Sequence, residues 1–317
     1  MLTRRHLRIK VLQILYGFYQ SEERDSAKAR RELKRSIEKI YELYIAYLLI
    51  FGELLNLTER DFEQRRGKHL PINDDLNPDR KFADNLVLKR LAEATVLKRM
   101  AQKLAVNWED VSKQKMIRQI LDHIRASANY GQYMESSVSS FERDSAFVQN
   151  VFTDEIANFE HLQEYFEEQS IFWTDDIDLV CTAVLKTIRT IDADAKVKLE
   201  LADLHRDKKD ELNFVKELLE KTMSGDAESE ILIRDLAKNW DLDRLAKIDI
   251  ILLKMALTEF TSLSSVPKKV TLNEYIEISK YYSTPKSQMF INGILDKAVL
   301  LLEKEGKLIK TGRGLIE

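Results

Sequence analysis

The densest group of chemistry-bearing residues lies at the start of the sequence. Arg4, Arg5, Arg8 and Lys10 fall with His6 inside the first ten residues, none of which is acidic. Helical spacing puts Arg4 and Arg8 on one face, with Arg5 beside them. Guanidinium groups are planar, permanently charged and able to bond two oxygens at once, so such a cluster suits phosphate. Gln13 and Tyr16 follow on the same stretch. A tyrosine ring can stack on an unpaired base, and a glutamine amide can read its edge. Charge for the backbone with stacking and edge contacts for the bases is the pattern of single-stranded RNA recognition. A plain solvated basic face, with Tyr16 in the core, is the competing reading.

Other chemistries find little to build on. The nine glycines are scattered and form neither GxGxxG nor GxxxxGK followed by Ser or Thr. The five histidines (His6, His69, His123, His161, His205) are far apart, and none pairs with another or with Cys181 at metal-ligand spacing. Cys181 sits in the apolar run LVCTAVL and reads as a small core residue rather than a nucleophile. A single cysteine excludes an intrachain disulfide and fits a reducing compartment. Carboxylate pairs such as Asp175–Asp176 carry no signal among 53 acids. No catalytic residue, metal site or cofactor is expected, and the chain does not read as an enzyme.

The elements that must hold the basic cluster read as helices. The 317 residues include 9 glycines and 4 prolines, too few for a collagen-like, low-complexity or turn-rich all-β chain. At 44% hydrophobic and 32% charged, the composition is that of a soluble globular protein of about two domains. The longest uncharged apolar run, Leu43–Gly52, is half of the roughly 20 residues a membrane span needs, so it is expected in a buried core helix. The N-terminus is basic but lacks the apolar stretch and cleavage site of a signal peptide, and a cytoplasmic protein is expected. Residues 1–141 carry a net charge of +7 and residues 142–317 carry −10. That split suggests a polyanion-binding face and an acidic face, or ordinary solvated helix surfaces.

Apolar periodicity predicts helices over 4–20, 27–55, 81–106, 110–128, 143–169, 175–190, 195–222, 227–239 and 244–261. Loops are expected at 59–79 and 264–270, where the prolines gather. Ser139 with Glu142, and Thr271 with Glu274, have capping-box spacing; Thr284 caps a last helix with Pro285 at its first position. Ile248–Leu257 is apolar at eight of ten positions and should be buried on nearly all sides. Phe290, Ile291, Ile294, Leu295, Ala298, Leu301 and Leu302 form the buried stripe of the last helix. The basic tail from Gly306 should be frayed.

Both ends of the chain resemble one family. RRHLRIKVLQILYGFYQ at 4–20 resembles the opening helix of the NusB family of bacterial transcription antitermination factors. RLAKIDIILLKMALTEF at 244–260 and SSVPKKVTLNEYIEISKYYSTPKSQMFINGILDK at 264–297 resemble its C-terminal half in order and spacing. The match covers about 4–20 and 208–303, roughly a third of the chain, and residues 21–207 look like a large helical insertion. The resemblance implies an all-α fold of NusB-like helical bundles with an additional inserted all-helical region. It divides the chain into an RNA-binding helix (1–23), the insertion (24–207), a C-terminal bundle (208–305) and a basic tail (306–317). It implies binding of boxA-type single-stranded RNA with the ribosomal protein NusE, and tethering to elongating RNA polymerase through other Nus factors, in support of rRNA operon transcription.

Carried over residue by residue, the family's RNA face gives Arg4, Arg5, Arg8, Gln13 and Tyr16 on the first helix, and Lys286, Ser287 and Phe290 at the start of the last. Asp249 and Glu259 become candidates for the partner surface. Three positions depart from the family pattern. Lys286 stands where an acid is usual, Gln288 where a basic residue or histidine is usual, and His6 where an arginine is common. A NusB-fold interaction scaffold without sequence-specific RNA binding is the alternative. An RNA methyltransferase would need a glycine-rich cofactor loop and reactive cysteines that this sequence lacks.

Overall fold

The computed structural model describes residues 1–194, 197–238, 246–308 and 310–315. Among them every regular element is helical and none is a strand, as the sequence predicts. In chain order the helices are α1 Arg4–Gln20, α2 Ser26–Arg66, α3 Asn73–Leu76, α4 Leu86–Glu93, α5 Thr95–Leu104, α6 Val111–Ala126, α7 Ala128–Glu135 and α8 Phe141–Asn150. They continue with α9 Glu160–Gln169, α10 Ile177–Arg189, α11 Lys208–Ser224, α12 Asp226–Leu236, α13 Lys247–Ser262, α14 Lys268–Tyr282 and α15 Pro285–Lys304. A π-helical turn, Val151–Ile156, follows α8, and a 3-10 turn lies at Gly312–Leu315.

Several boundaries differ from the periodicity reading, each for a local reason. α2 runs on to Arg66 and stops at Gly67, so the expected loop is shorter by two turns. The expected 81–106 helix breaks at Ala94, whose extended backbone ends α4 and begins α5. The expected 143–169 helix is three pieces, and its cap is Ser140, whose hydroxyl accepts from the Arg143 N–H, rather than Ser139. Residues 197–207 are not helical, and α11 starts where Asp207 accepts the Asp210 N–H. α14 starts at Lys268, three residues before Thr271, with Pro267 as its N-cap, so Thr271 and Glu274 lie inside a helix rather than capping one. The Thr284 cap and Pro285 are as expected. The start of the 244–261 helix and the end of the 227–239 helix fall partly outside the described residues.

The chain divides into two compact units, Met1 with Glu38–Leu204 and Leu2–Ile37 with His205–Glu317; α2 gives residues 26–37 to one and 38–66 to the other. In the Glu38–Leu204 unit the core is aromatic. Tyr47 lies 4.8 Å from Phe166 and 5.9 Å from Phe152 between ring centres. Buried indoles bond to backbone: Trp108 Nε1 donates to Ala46 O at 3.0 Å and Trp173 Nε1 to Lys39 O at 2.8 Å. Leu43–Leu48, Ile50 and Phe51 are buried, which accounts for the apolar run in α2. α2 is long and apolar enough to cross a bilayer, a test that the core helix of a soluble protein also passes. Asn85 caps α4 by accepting the Val87 and Leu88 N–H groups, each at 3.0 Å.

Asp61 ties α2 to α6, accepting from Arg118 at 2.8 and 2.6 Å and from Arg125 at 2.9 Å. The Arg118 hydrogen bond, helped by Arg125 and opposed by partial burial, holds the Asp61 carboxyl below its ordinary range. A carboxyl whose folded pKa is depressed stabilises the fold above its unfolded value of about 3.9, and that contribution fades as pH falls through the lower folded value. Asp61→Asn is therefore expected to cost about 2 kcal/mol at neutral pH. Thermal melts from pH 7 down to pH 2 should show the gap to wild type closing below about pH 4.

Candidate nucleic-acid interface

In the Leu2–Ile37 and His205–Glu317 unit, α13 is the central helix. It packs against α1, α11, α12, α14 and α15, and Ile251–Phe260 is buried at every position. Its apolar surface all round is what such a position requires. Thr3 starts α1 by accepting the His6 N–H, while His6 Nδ1 accepts the Thr3 N–H at 3.2 Å. Leu7, Arg8, Lys10, Val11, Leu12 and Leu15 form the inward side of α1. Arg5, His6, Ile9, Gln13, Tyr16 and Gln20 share the outward arc.

This corrects the helical-face assignment. The Arg4–Arg8 face is the inward one, because Arg8 lies three, four and seven residues before Val11, Leu12 and Leu15. Arg8 Nε donates to Glu259 Oε2 at 2.9 Å and Nη2 to Oε1 at 2.6 Å, with the two side chains 1% and 0% exposed. Thr271 and Tyr275 on α14 complete the Glu259 carboxylate, donating at 2.8 and 3.1 Å. Burial and the adjacent Glu259 charge push the Tyr275 hydroxyl well up, which keeps it a donor. Burial pulls Arg8 down, but the charge and hydrogen bonds of Glu259, with Tyr275 and Glu274, together hold it above its ordinary value.

The other two arginines are also paired, at the surface. Arg5 forks onto Glu274 of α14 with both bonds at 2.9 Å, and Arg4 reaches Asp210 of α11 at 2.7 Å with its guanidinium 4.3 Å from the Phe214 ring centre. Their side chains remain 40% and 34% exposed, so a phosphate can compete for them. The hydrogen bonds to Glu274 hold Arg5 above its ordinary value, with smaller pushes from Glu277 and Tyr281. Burial, then Arg5, Lys10 and the N-terminal ammonium, push His6 down, so it is neutral at pH 7 and adds no charge to the arc.

The remaining predicted site residues divide by exposure. Tyr16 is 43% exposed, Gln13 half-buried and Lys286 exposed. Ser287 is buried against the Thr284 cap, its hydroxyl 2.9 Å from that of Thr284. Phe290 is buried in the core stripe of α15, so it offers no ring to a base as placed. Asp249 and Glu259 are both fully buried, Asp249 without a hydrogen-bond partner among the described residues, so as placed neither side chain is presented at the surface. The tail is not frayed throughout: Lys310 Nζ donates to Glu259 O at 3.0 Å and Leu263 O at 3.3 Å, at the C-terminal end of α13.

Sequence reading missed Tyr281, which is 79% exposed. Glu274, Glu277 and Tyr281 follow one another at i, i+3 and i+7 on α14, so this ring continues the row to which Arg5 is bound. An aromatic four and seven residues beyond two acids was the available signal. The arrangement offers cations and flat rings together, the equipment for unpaired nucleic acid.

Because removing one partner leaves a buried charge uncompensated, Glu259→Ala is expected to cost about 3–5 kcal/mol. Hydrogen exchange in α13 should then accelerate by at least about a hundredfold. The double replacement Arg8→Met with Glu259→Leu should restore most of the protection.

Residues 182–299 match the family model described as the NusB family. The transcription antitermination protein NusB of Salinibacter ruber is 45% identical over 104 residues, which are 33% of this chain and 65% of that protein. That of Chloroherpeton thalassium is 40% identical over 105 residues, 33% of this chain and 50% of its own. That of Listeria welshimeri is 43% identical over 83 residues, 26% of this chain and 65% of its own. The chain thus spans between half and two thirds of the curated relatives it matches, and is itself longer than they are. No solved structure matches it. The segment from 182 to 299, which supplies the helices that clamp α1, is the part of the chain that is similar to the NusB family.

Proposed function

We propose that this chain is a transcription antitermination factor that acts by binding RNA, not by making or breaking bonds. In this reading it holds boxA-type single-stranded RNA together with the ribosomal protein NusE. The complex is tethered to elongating RNA polymerase through other Nus factors, in the cytoplasm, and supports rRNA operon transcription. One observation carries the reading: the outward arc of α1 sets Arg5, Gln13 and Tyr16 side by side on the unit that contains α11–α15. The NusB-family match of 182–299 supports it.

Within the proposal the inward and outward sides of α1 have different tasks. Arg8 orients the helix, while Arg4 and Arg5 exchange a carboxylate for an RNA phosphate. Lys286 adds charge at the start of α15, and Tyr16 and Tyr281 take bases. Surfaces other than Asp249 and Glu259 must receive the protein partner. The burial of Arg8 and Phe290 narrows the RNA-facing set and keeps the scaffold reading in play.

Titration of boxA-type and scrambled single-stranded RNA, with and without NusE and at several salt concentrations, separates the two readings. The proposal expects tighter binding to the boxA-type RNA, enhanced by NusE. Arg5→Ala should weaken it about tenfold and flatten the salt dependence, as loss of a phosphate contact does. Tyr281→Ala should weaken it by a similar factor, about 1–3 kcal/mol of stacking, with the salt slope unchanged. Equal, weak binding of both RNAs in the presence of NusE would replace the RNA reading with the scaffold.

A further inference from the structure

The first three turns of α2 carry Lys28, Arg30, Arg31, Lys34 and Arg35 against the single acid Glu32. Ala29, Leu33, Ser36 and Ile37 are buried and fix which side faces the core. Lys28, Arg31 and Arg35, at i, i+3 and i+7, lie on the opposite side and are exposed. They form a straight ridge about 10 Å long at 1.5 Å per residue.

This ridge runs against the helix's own electrostatics. Positive charge near a helix N-terminus opposes the macrodipole, and the first turn of α2 contains no acid. Lys28 with Arg31, and Arg31 with Arg35, are like charges at neighbouring positions, which weakens a helix. Asp25 does little to offset them. Its carboxylate is committed to the Ala27 and Lys28 N–H groups at 2.7 and 3.0 Å, and it meets Arg31 only at 3.9 Å. Among the described residues neither Lys28 nor Arg35 has a carboxylate within 4 Å. Nearby arginines that do have one reach other helices: Arg30 meets Glu220 of α11 at 3.5 Å, and Arg24, just before α2, meets Asp226 of α12 at 3.3 Å. A row of charges that opposes its own helix, two of the three without a carboxylate within 4 Å among the described residues and the third with only a long contact, suits an external anion.

We propose that Lys28, Arg31 and Arg35 form a second phosphate-binding element, a ridge that holds RNA flanking the segment read by α1. The inference rests on the RNA reading above. The ridge belongs to the same compact unit as α1, and only the five residues 21–25 separate the two helices. It carries no exposed aromatic ring, so it grips backbone without reading bases.

The test uses the full chain and the triple variant Lys28→Gln, Arg31→Gln, Arg35→Gln. Glutamine keeps helix propensity, so the melting temperature should stay level or rise. Two RNAs are titrated by fluorescence anisotropy across a salt series: one limited to the boxA-type element, the other extended by uridines on both sides. Wild type should bind the extended RNA more tightly and with the steeper salt slope. The variant should keep wild-type affinity for the short RNA, lose roughly tenfold on the extended one, and show a slope smaller by about 2, the value for three phosphates on a single strand. The conservative variant Arg31→Lys, Arg35→Lys should keep most of the extended-RNA affinity. If the triple variant matches wild type on the extended RNA while both bind the short one, the ridge is overturned and the RNA reading stands. If wild type binds neither RNA, both are overturned.

Discussion

Arg8 and Glu259 meet with almost none of either side chain in water, and the unit built around α13 is arranged so that they can. Removing two full charges from solvent costs several kcal/mol per ion, and attraction alone does not recover that. The carboxylate is therefore surrounded on purpose: two guanidinium N–H groups, the Thr271 hydroxyl and the Tyr275 hydroxyl all donate to it. Two helices, α1 and α14, supply those groups to a carboxylate on a third, α13, so the pair can be satisfied in one register only. A hydrophobic replacement could pack as well but would let α1 slide or rotate. The pair fixes the rotation of α1, and every statement about which residues of α1 face outward depends on it.

That rotation sorts the arginines by task. Arg8 is consumed in the interior, while Arg4 and Arg5 hold carboxylates at the rim, on α11 and α14. A rim pair in high dielectric is worth little, at most about 1 kcal/mol, so exchanging its carboxylate for a phosphate is nearly neutral. The same helix thus has a fixed side and an exchangeable side. Lys310 adds a further clamp by reaching the Glu259 and Leu263 carbonyls, so the central helix is held at its C-terminal end by a cation from the tail.

The helical character, the extent of α1, the central burial of 248–257 and the Thr284 cap were legible because each depends on local spacing. The breaks at Ala94 and after Asn150 were not, because no glycine or proline marks them. Position 8 shows the limit most clearly. Its spacing to Val11, Leu12 and Leu15 places it in the core stripe, yet its charge argues for the surface, and the charge was given more weight. Glu259 held the missing half of the answer, since a glutamate inside an apolar run needs a cation, and nothing local says which. Thr271 and Glu274 had the spacing of a cap, but the helix begins earlier; Thr271 donates to Glu259 and Glu274 accepts from Arg5 instead. Pairings across more than two hundred residues are set by packing, and no periodicity reports them.

The arginines of α1 and of the turn into α2 are each matched with a carboxylate among the described residues. Arg4 has Asp210, Arg5 Glu274, Arg8 Glu259, Arg24 Asp226 and Arg30 Glu220, each from a different place on α11 to α14. Lys254 shares Asp226 and Glu230 at 2.5 and 3.3 Å. Lys28 and Arg35 on α2, and Lys286 on α15, are exposed and have no carboxylate within 4 Å among the described residues. Acids were available to this chain, which has 53 of them, so the lack of a partner at these positions is not a shortage of negative charge. Pairing α1's arginines one by one while the α2 row meets at most one long carboxylate contact separates charge that builds the unit from charge that is free to meet an incoming polyanion.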